Sequence, residues 1–452
     1  MQRTRRAAAL GAAVVSIGLV LAGCGSGSSG AGDPDTITVA YQRTAQFTQL
    51  DAVLKKAKTE YEAANAGKKV ELVAIEAEQD QYFTKLALMN RSPSTAPDVI
   101  YEDSFQVRSD AAAGYLAPID DQLARWEDWS QFDDTAKQAG LGDDGKTYGV
   151  SMGTDTRALY YNKKIFAEAG LPADWQPKTW DDVLTAARTV KEKVPDVTPI
   201  NVYAGKAQGE ATSMQGFEML LYGTGSTLYD TDAKKWVRGS KGFVDSLGFY
   251  ETIFTEKLAP SLDVALDAAA GARVATELLP KGQLAIALDG SWLPGQWISG
   301  ENQWPEWEET MGFAPMPTQT GAEPGATSMS GGWLLSVGSQ ASDKDAAFDF
   351  IAVALNRENS LKYDTENSQI AVRKDVATDE KYLSFNPSFE FFSSLVPVTT
   401  FRPATPDYSQ ISGNIQVAVE SVATGSASPE EAARTYDEGL VGIVGEDKVT
   451  GG

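Results

Sequence analysis

Residues 148–172 read YGVSMGTDTRALYYNKKIFAEAGLP. The first five, 148–152, are short and apolar, as a buried strand is. Residues 153–156 are turn-rich, and 158–169 then carry apolar residues at helical spacing until Gly170-Leu171-Pro172 stops them. The polar loop lies between two buried segments. It presents Asp155 and Thr156 at the edge of one α/β unit and sends the chain into another.

On the N-terminal side, short β-like runs alternate with amphipathic helices. Residues 36–41 (TITVAY) predict a strand, and Phe47, Leu50, Val53, Leu54, Ala57 and Tyr61 mark one helix face. Residues 70–75 predict a second strand, Tyr82, Phe83, Leu86 and Met89 a second helix, and 97–101 (PDVIY) a third strand. The order β-α-β-α-β implies a mainly parallel sheet with helices on its faces, and ligands bind such sheets beyond the carboxyl ends of the strands. The candidate loops are therefore 42–47, 78–81 with Gln79, and 102–105 with Asp103. A carboxylate at Asp103 offers a bidentate acceptor to two vicinal hydroxyls, the alternative being a cap for the following helix.

On the C-terminal side, Thr179 opens a helix that buries Val183, Leu184, Ala187 and Val190. Gly223-Thr224-Gly225 has no third glycine and follows a helix, so it does not read as a dinucleotide site. Asp230 and Asp232 are spaced like a calcium loop, but Lys234 takes the third ligand position, which leaves a turn. Residues 282–292 form a buried strand running into a loop. Five of the ten tryptophans fall between 292 and 333. Trp297, Trp304 and Trp307 read as local packing around Pro305, whereas Trp292 and Trp333 sit beside glycine at strand tips, where an indole face meets the C–H face of a sugar. Gly332 lets a ligand approach the backbone. Ser342 with Asp345 is expected to cap the helix that follows. Near the end, residues 401–408 read FRPATPDY: two prolines hold the backbone around Arg402, which either forks onto a ligand or pairs with a carboxylate.

Composition narrows the chemistry. The formal charge is −23, and removing residues 1–23, with three arginines and no acid, deepens it to −26. Nucleic acid and anionic lipid are disfavoured partners, and a neutral ligand fits best. Without a histidine there is no Ser-His-Asp triad, HExxH zinc site or imidazole base, and no cofactor or metal is expected. Residues 1–23 have a basic start and an apolar stretch ending at Leu21-Ala22-Gly23-Cys24, the pattern of a lipoprotein signal peptide. Cys24, the only cysteine, is the expected lipidation site, and residues 24–35 are a Gly/Ser-rich tether.

The run Ala158-Leu159-Tyr160-Tyr161-Asn162, with Phe166 and Glu168, resembles the signature of the family 1 extracellular solute-binding proteins of ABC sugar importers, the maltose-binding-protein-like group. Gly153 stands where that family more often has a small branched or polar residue. Residues 98–120 and 288–292 are similar to further family patterns, and RPATPxY at 402–408 is similar to that of actinobacterial disaccharide-binding relatives. The resemblance implies an α/β, two-lobed periplasmic-binding-protein-like fold of type II. Lobe one would be 36–148 and 313–356, and lobe two 149–312 and 357–445. It also implies a lipid-anchored, non-enzymatic protein on the outer face of the membrane, taken as a monomer by default. Such a protein captures a di- or oligosaccharide and hands it to ABC permease subunits with a cytoplasmic ATPase. Asp103, Asp155 and Arg402 would hold hydroxyls with help from Gln79, and Trp292 and Trp333 would stack. Two other readings stay open: a glycoside hydrolase using two carboxylates such as Asp155 and Asp289, and a binding protein for a peptide or other solute.

Overall fold

The computed structural model describes residues 35–44, 48–299 and 301–451. Cys24, the signal segment, most of the tether and Phe47 lie outside the described residues.

Two sheets organise the chain. The first runs Lys69–Glu76, Thr36–Arg43, Val99–Asp103, Trp333–Val337, Gly149–Ser151. The second runs Met311–Ala314, Arg157–Asn162, Leu284–Gly290, Thr198–Asn201. Each is covered by helices on both faces, so every strand divides its side chains between two cores. Val39, Val99, Tyr101 and Leu335 enter one, while Ala40, Ile100 and Leu334 enter the other. In the second sheet Leu159, Tyr161 and Ile286 point one way and Ala158, Tyr160 and Ala287 the opposite way. This is the α/β, two-lobed architecture the sequence implies.

Both sheets are mixed, where mainly parallel sheets were expected. The first three strands of lobe one are parallel, but Trp333–Val337 runs antiparallel to both of its neighbours. In lobe two only Thr198–Asn201 with Leu284–Gly290 is parallel. The reversed strands are those the chain enters from the opposite lobe, so no βα crossover sets their direction.

The expected boundaries shift with sheet membership. Gly149–Ser151, assigned to the second lobe, pairs with Trp333–Val337 in the first sheet. Phe313 and Ala314, assigned to the first lobe, pair in the second. Helix Arg357–Glu366 was assigned to lobe two, but it packs against Gln49–Ala64 and buries Tyr363 in the first core. Residues 158–162, expected in a helix, belong to the strand Arg157–Asn162, all six residues buried. A short apolar run buried on both faces has no period to separate helix from strand. The helix begins only at Lys163, capped by the Asn162 side chain, and ends at Gly170 with φ of 77°.

Of the other local expectations, most hold and one cap moves by a residue. Thr179 forms a capping box with Asp182, and Ser428 forms a second with Glu431. Asp343, rather than Ser342 or Asp345, accepts the Ala346 N–H to cap Lys344–Ala354. Asp230 accepts the Asp232 and Ala233 N–H groups in a turn. Trp297 packs edge-on against Trp304, with centroids 5.2 Å apart.

The chain crosses between lobes at residues 152–156, through the small sheet Met316–Pro317, Ala326–Ser330, Thr399–Phe401, and again near Ile370. The crossings are bonded to one another. Thr154 and Ile370 exchange backbone hydrogen bonds of 2.8 and 2.9 Å, and the Thr154 hydroxyl donates to the Gly331 carbonyl.

Candidate functional site

Asp103 ends the central strand of lobe one, directly across the ladder from Trp333. It is 2 % exposed. Gln79, at the start of helix Gln79–Asn90, donates to its Oδ2 at 2.9 Å, and Arg402 donates to its Oδ1 at 2.5 Å. The second Arg402 nitrogen donates to Glu210 at 3.1 Å. The guanidinium also lies over the Phe105 ring, 4.1 Å from its centroid. Burial pushes the Asp103 carboxyl up while Arg402 opposes it. For Arg402, burial works against the charge and the carboxylates of Asp103 and Glu210 more than restore it. Two of the expected hydroxyl-binding groups, Asp103 and Arg402, are thus each other's partners, and Gln79 completes the set.

Trp333 is half-buried. Its ring stacks on Tyr101 with centroids 4.3 Å apart and planes 2° from parallel, and Phe83 lies 6.0 Å away at 25°. One indole face is therefore already part of an aromatic stack in lobe one.

Asp155 lies on the first crossing. Its Oδ1 accepts the Arg157 guanidinium and, at 2.9 Å, the Gly331 N–H. Arg157 also donates to the Met329 carbonyl at 3.1 Å and lies under Trp292, 4.8 Å from the ring centroid. Trp292 in turn folds back over Gly290, where an added Cβ would fall 2.0 Å from the indole. Asp155, Arg157 and Trp292 therefore form a second acid–arginine–aromatic group, parallel in composition to Asp103, Arg402 and Phe105.

Gly331 joins the two groups. A Cβ built there would stand 3.3 Å from Arg402 and 3.5 Å from Asp155. Gly332 was expected to admit a ligand, but its immediate neighbour is protein: at φ of 146°, a Cβ would meet the Gly153 carbonyl oxygen at 2.5 Å. Ser104 N–H donates to the Gly332 carbonyl at 3.0 Å. The glycine lets two crossings touch.

Two participants escaped the sequence reading, and a third, Phe105, lay in a candidate loop without an assigned role. Glu210 precedes the π-helix Ala211–Glu218, and nothing in its local pattern marks it. Arg157 lies within the quoted stretch, but with 157–162 read as turn and helix its side chain had no direction. Phe105 leaves lobe one and packs in the lobe-two core, edge-on to Tyr408 at 5.3 Å. Asp289, named with Asp155 for the hydrolase reading, accepts the Tyr203 hydroxyl at 2.6 Å and the Gly290 N–H at 2.7 Å. Burial pushes its carboxyl up to about 6. Both carboxylates of that reading are thus engaged by protein donors.

The sequence model of the bacterial extracellular solute-binding protein family matches residues 42–360. The chain belongs to that family. Among related sequences, this solute-binding protein is 21% identical over 288 residues to a binding protein of Brucella abortus. That match spans 64% of this chain and 65% of the relative, just under two thirds of its length. A fuller match, 23% identical over 97% of this chain and 96% of the relative, is to the maltodextrin-binding protein of Bacillus subtilis. Among solved structures, a Thermotoga lettingae ABC transporter solute-binding protein bound with α-D-tagatose superposes with a TM-score of 0.77. It is 25% identical and is covered over 99% of its length by 90% of this chain.

Proposed function

We propose that this solute-binding protein captures a di- or oligosaccharide between its two sheets and delivers it to the permease of an ABC importer. The observation that carries the reading is the convergence of two acid–arginine–aromatic groups, Asp103/Arg402/Phe105 and Asp155/Arg157/Trp292, at Gly331 between the lobes. Carboxylates and guanidinium groups are the acceptors and donors that vicinal hydroxyls require, and indoles take the apolar face of a pyranose. Gln79, Asp103, Asp155 and Arg402 are the proposed hydroxyl ligands, and Trp292 and Trp333 the stacking surfaces. The formal charge of −23 favours a neutral over an anionic cargo. A maltodextrin-binding relative and a structural neighbour bound with tagatose support a sugar as the cargo. In this reading Cys24 carries the lipid that holds the protein outside the membrane, and residues 24–35 give it reach. The ATPase that drives import is a separate chain.

The test is a thermal-shift panel of mono-, di- and trisaccharides and a peptide mixture. A ligand at a hundred times its dissociation constant adds about 2.7 kcal/mol of stability. A shift with one oligosaccharide and no product formed supports the reading and names the cargo. A response to peptides alone, or release of sugar from a glycoside, overturns it. Globomycin-sensitive processing and loss of membrane retention on Cys24→Ser test the anchor.

A further inference from the structure

Behind Arg402 a polar chain runs from the site into the core of lobe two. Glu210 Oε2 faces both Arg402 and the Tyr408 hydroxyl, each at 3.1 Å. Its Oε1 accepts from Ser412, whose hydroxyl is 2.7 Å from that of Ser213 and receives the Gln416 amide at 3.0 Å. The Tyr408 hydroxyl also lies 2.6 Å from Glu218 Oε1. Glu218 closes the π-helix and is fully buried.

Tyr408 has a single hydroxyl proton, yet two carboxyl groups lie within hydrogen-bond distance of it. Glu210 is the ion-pair partner of Arg402 and so the ionised one. Donated to Glu218, the Tyr408 proton leaves Glu210 without it; donated to Glu210, it leaves the 2.6 Å contact to be made by a proton on Glu218. The other charged and titratable groups around Glu218 supply no second cation. Tyr222 from its own stretch, Tyr436 from the terminal helix Pro429–Val444 and Tyr408 from helix Tyr408–Ala423 are hydroxyls, Glu210 is a like charge, and Arg402 is already shared by Asp103 and Glu210.

We propose that Glu218 holds a proton in the sugar-competent protein and acts as a positioning residue, orienting Arg402 through Tyr408 and Glu210, so that sugar affinity falls when that proton is lost. The proposal rests on the sugar-binding reading above. Losing the proton sets a second carboxylate against Tyr408 and draws its hydroxyl proton away from Glu210. Glu210 then loses a donor on the oxygen that fixes the guanidinium. Burial pushes the Glu218 carboxyl up to about 8, although a hydrogen bond donated to it by Tyr408 favours the ionised form, so the change falls within an accessible range of pH.

Two measurements on the full chain in detergent decide it. The first needs no sugar: the infrared difference between the parent and Glu218→Gln should hold a protonated carboxyl band lost between about pH 7 and 9, over the bands of other buried carboxyls such as Glu102 and Asp364 that both proteins share. The second is calorimetric titration with maltotriose across pH 6–9. In the parent the dissociation constant should rise about tenfold from pH 7 to 9, following the protonated fraction. Glu218→Gln keeps a donor facing Tyr408 and cannot ionise, so its affinity should be independent of pH. Should that variant not fold, Tyr408→Phe breaks the relay and should flatten the profile. No carboxyl band assignable to Glu218, or the same pH profile in parent and variant, overturns the proposal. If maltotriose does not bind at any pH while the band is present, the protonation stands and the sugar assignment is what fails.

Discussion

Asp103 and Arg402 are 299 residues apart in sequence and 2.5 Å apart in the structure, one at the end of a lobe-one strand and the other anchored to lobe two by Glu210. The pair is 2 % and 7 % exposed, and a buried ion pair matters most when only half of it is removed. Arg402→Ala leaves two carboxylates buried without their cation and should cost about 3–5 kcal/mol in urea unfolding. Asp103→Asn combined with Arg402→Met should cost much less than the sum of the single changes, a coupling that a double-mutant cycle reads directly.

Gly332→Ala should destabilise the protein with no ligand present. The new methyl meets the Gly153 carbonyl and the residue must hold φ of 146°, a combination of clash and strain costing on the order of 1–3 kcal/mol. Equal melting temperatures for parent and variant would mean that the crossings do not depend on this contact.

Trp333 and Trp292 should separate on truncation. Trp333→Ala opens the stack on Tyr101 and Phe83 and should cost about 3 kcal/mol, the lower end for a tryptophan because the ring is half-buried. In Trp292→Ala the specific loss is the ring over Arg157, about 0.5–2 kcal/mol. Under the sugar-binding reading both variants also lose affinity, so stability and affinity must be measured on the same samples.

The stability optimum should lie on the acid side of neutrality. Burial raises Glu218 to about 8 and Asp289 and Asp110 to about 6. A folded-state carboxyl raised in this way contributes stability that is complete below its unfolded value, near 4, and is lost as pH rises through the folded one. Asp51, Asp182 and Asp375 are shifted the opposite way. Burial opposes the shift at Asp51, where hydrogen bonds from Lys55 and Tyr41 outweigh it; a backbone N–H from Lys178 leads at Asp182, and the Arg373 hydrogen bond at Asp375. Their contribution is lost as pH falls below about 4. Melting temperatures should therefore peak near pH 5 and decline to pH 8. A flat profile over that interval would contradict the assigned burial of these groups.

The elements that came through from the sequence are those with a local cause. The β-α-β-α-β opening follows from apolar period, and the helix start at Trp180 from a capping box. What was missed has a non-local cause. Residues 158–161 are apolar because they are covered on both faces, so their strand character depends on Met311–Ala314 and Leu284–Gly290 arriving beside them. Asp103, Asp155 and Arg402 were identifiable as polar groups in loops beside buried segments. That Asp103 and Arg402 neutralise each other, and that Asp155 belongs to Arg157, is fixed only by the folded path of the crossings.

Phe105 makes the contact between lobes a piece of protein interior rather than a pair of polar lips. Its ring touches Phe83 on one side and Tyr408 on the other at 5.4 and 5.3 Å, so separating the lobes hydrates aromatic surface. Under the proposed sugar-binding reading, closure of the lobes on a ligand should then carry the calorimetric mark of a small folding reaction: a negative heat-capacity change larger than a hydroxyl-rich sugar alone would produce. The cargo would be polar, yet the thermometer would register the burial of a phenyl ring.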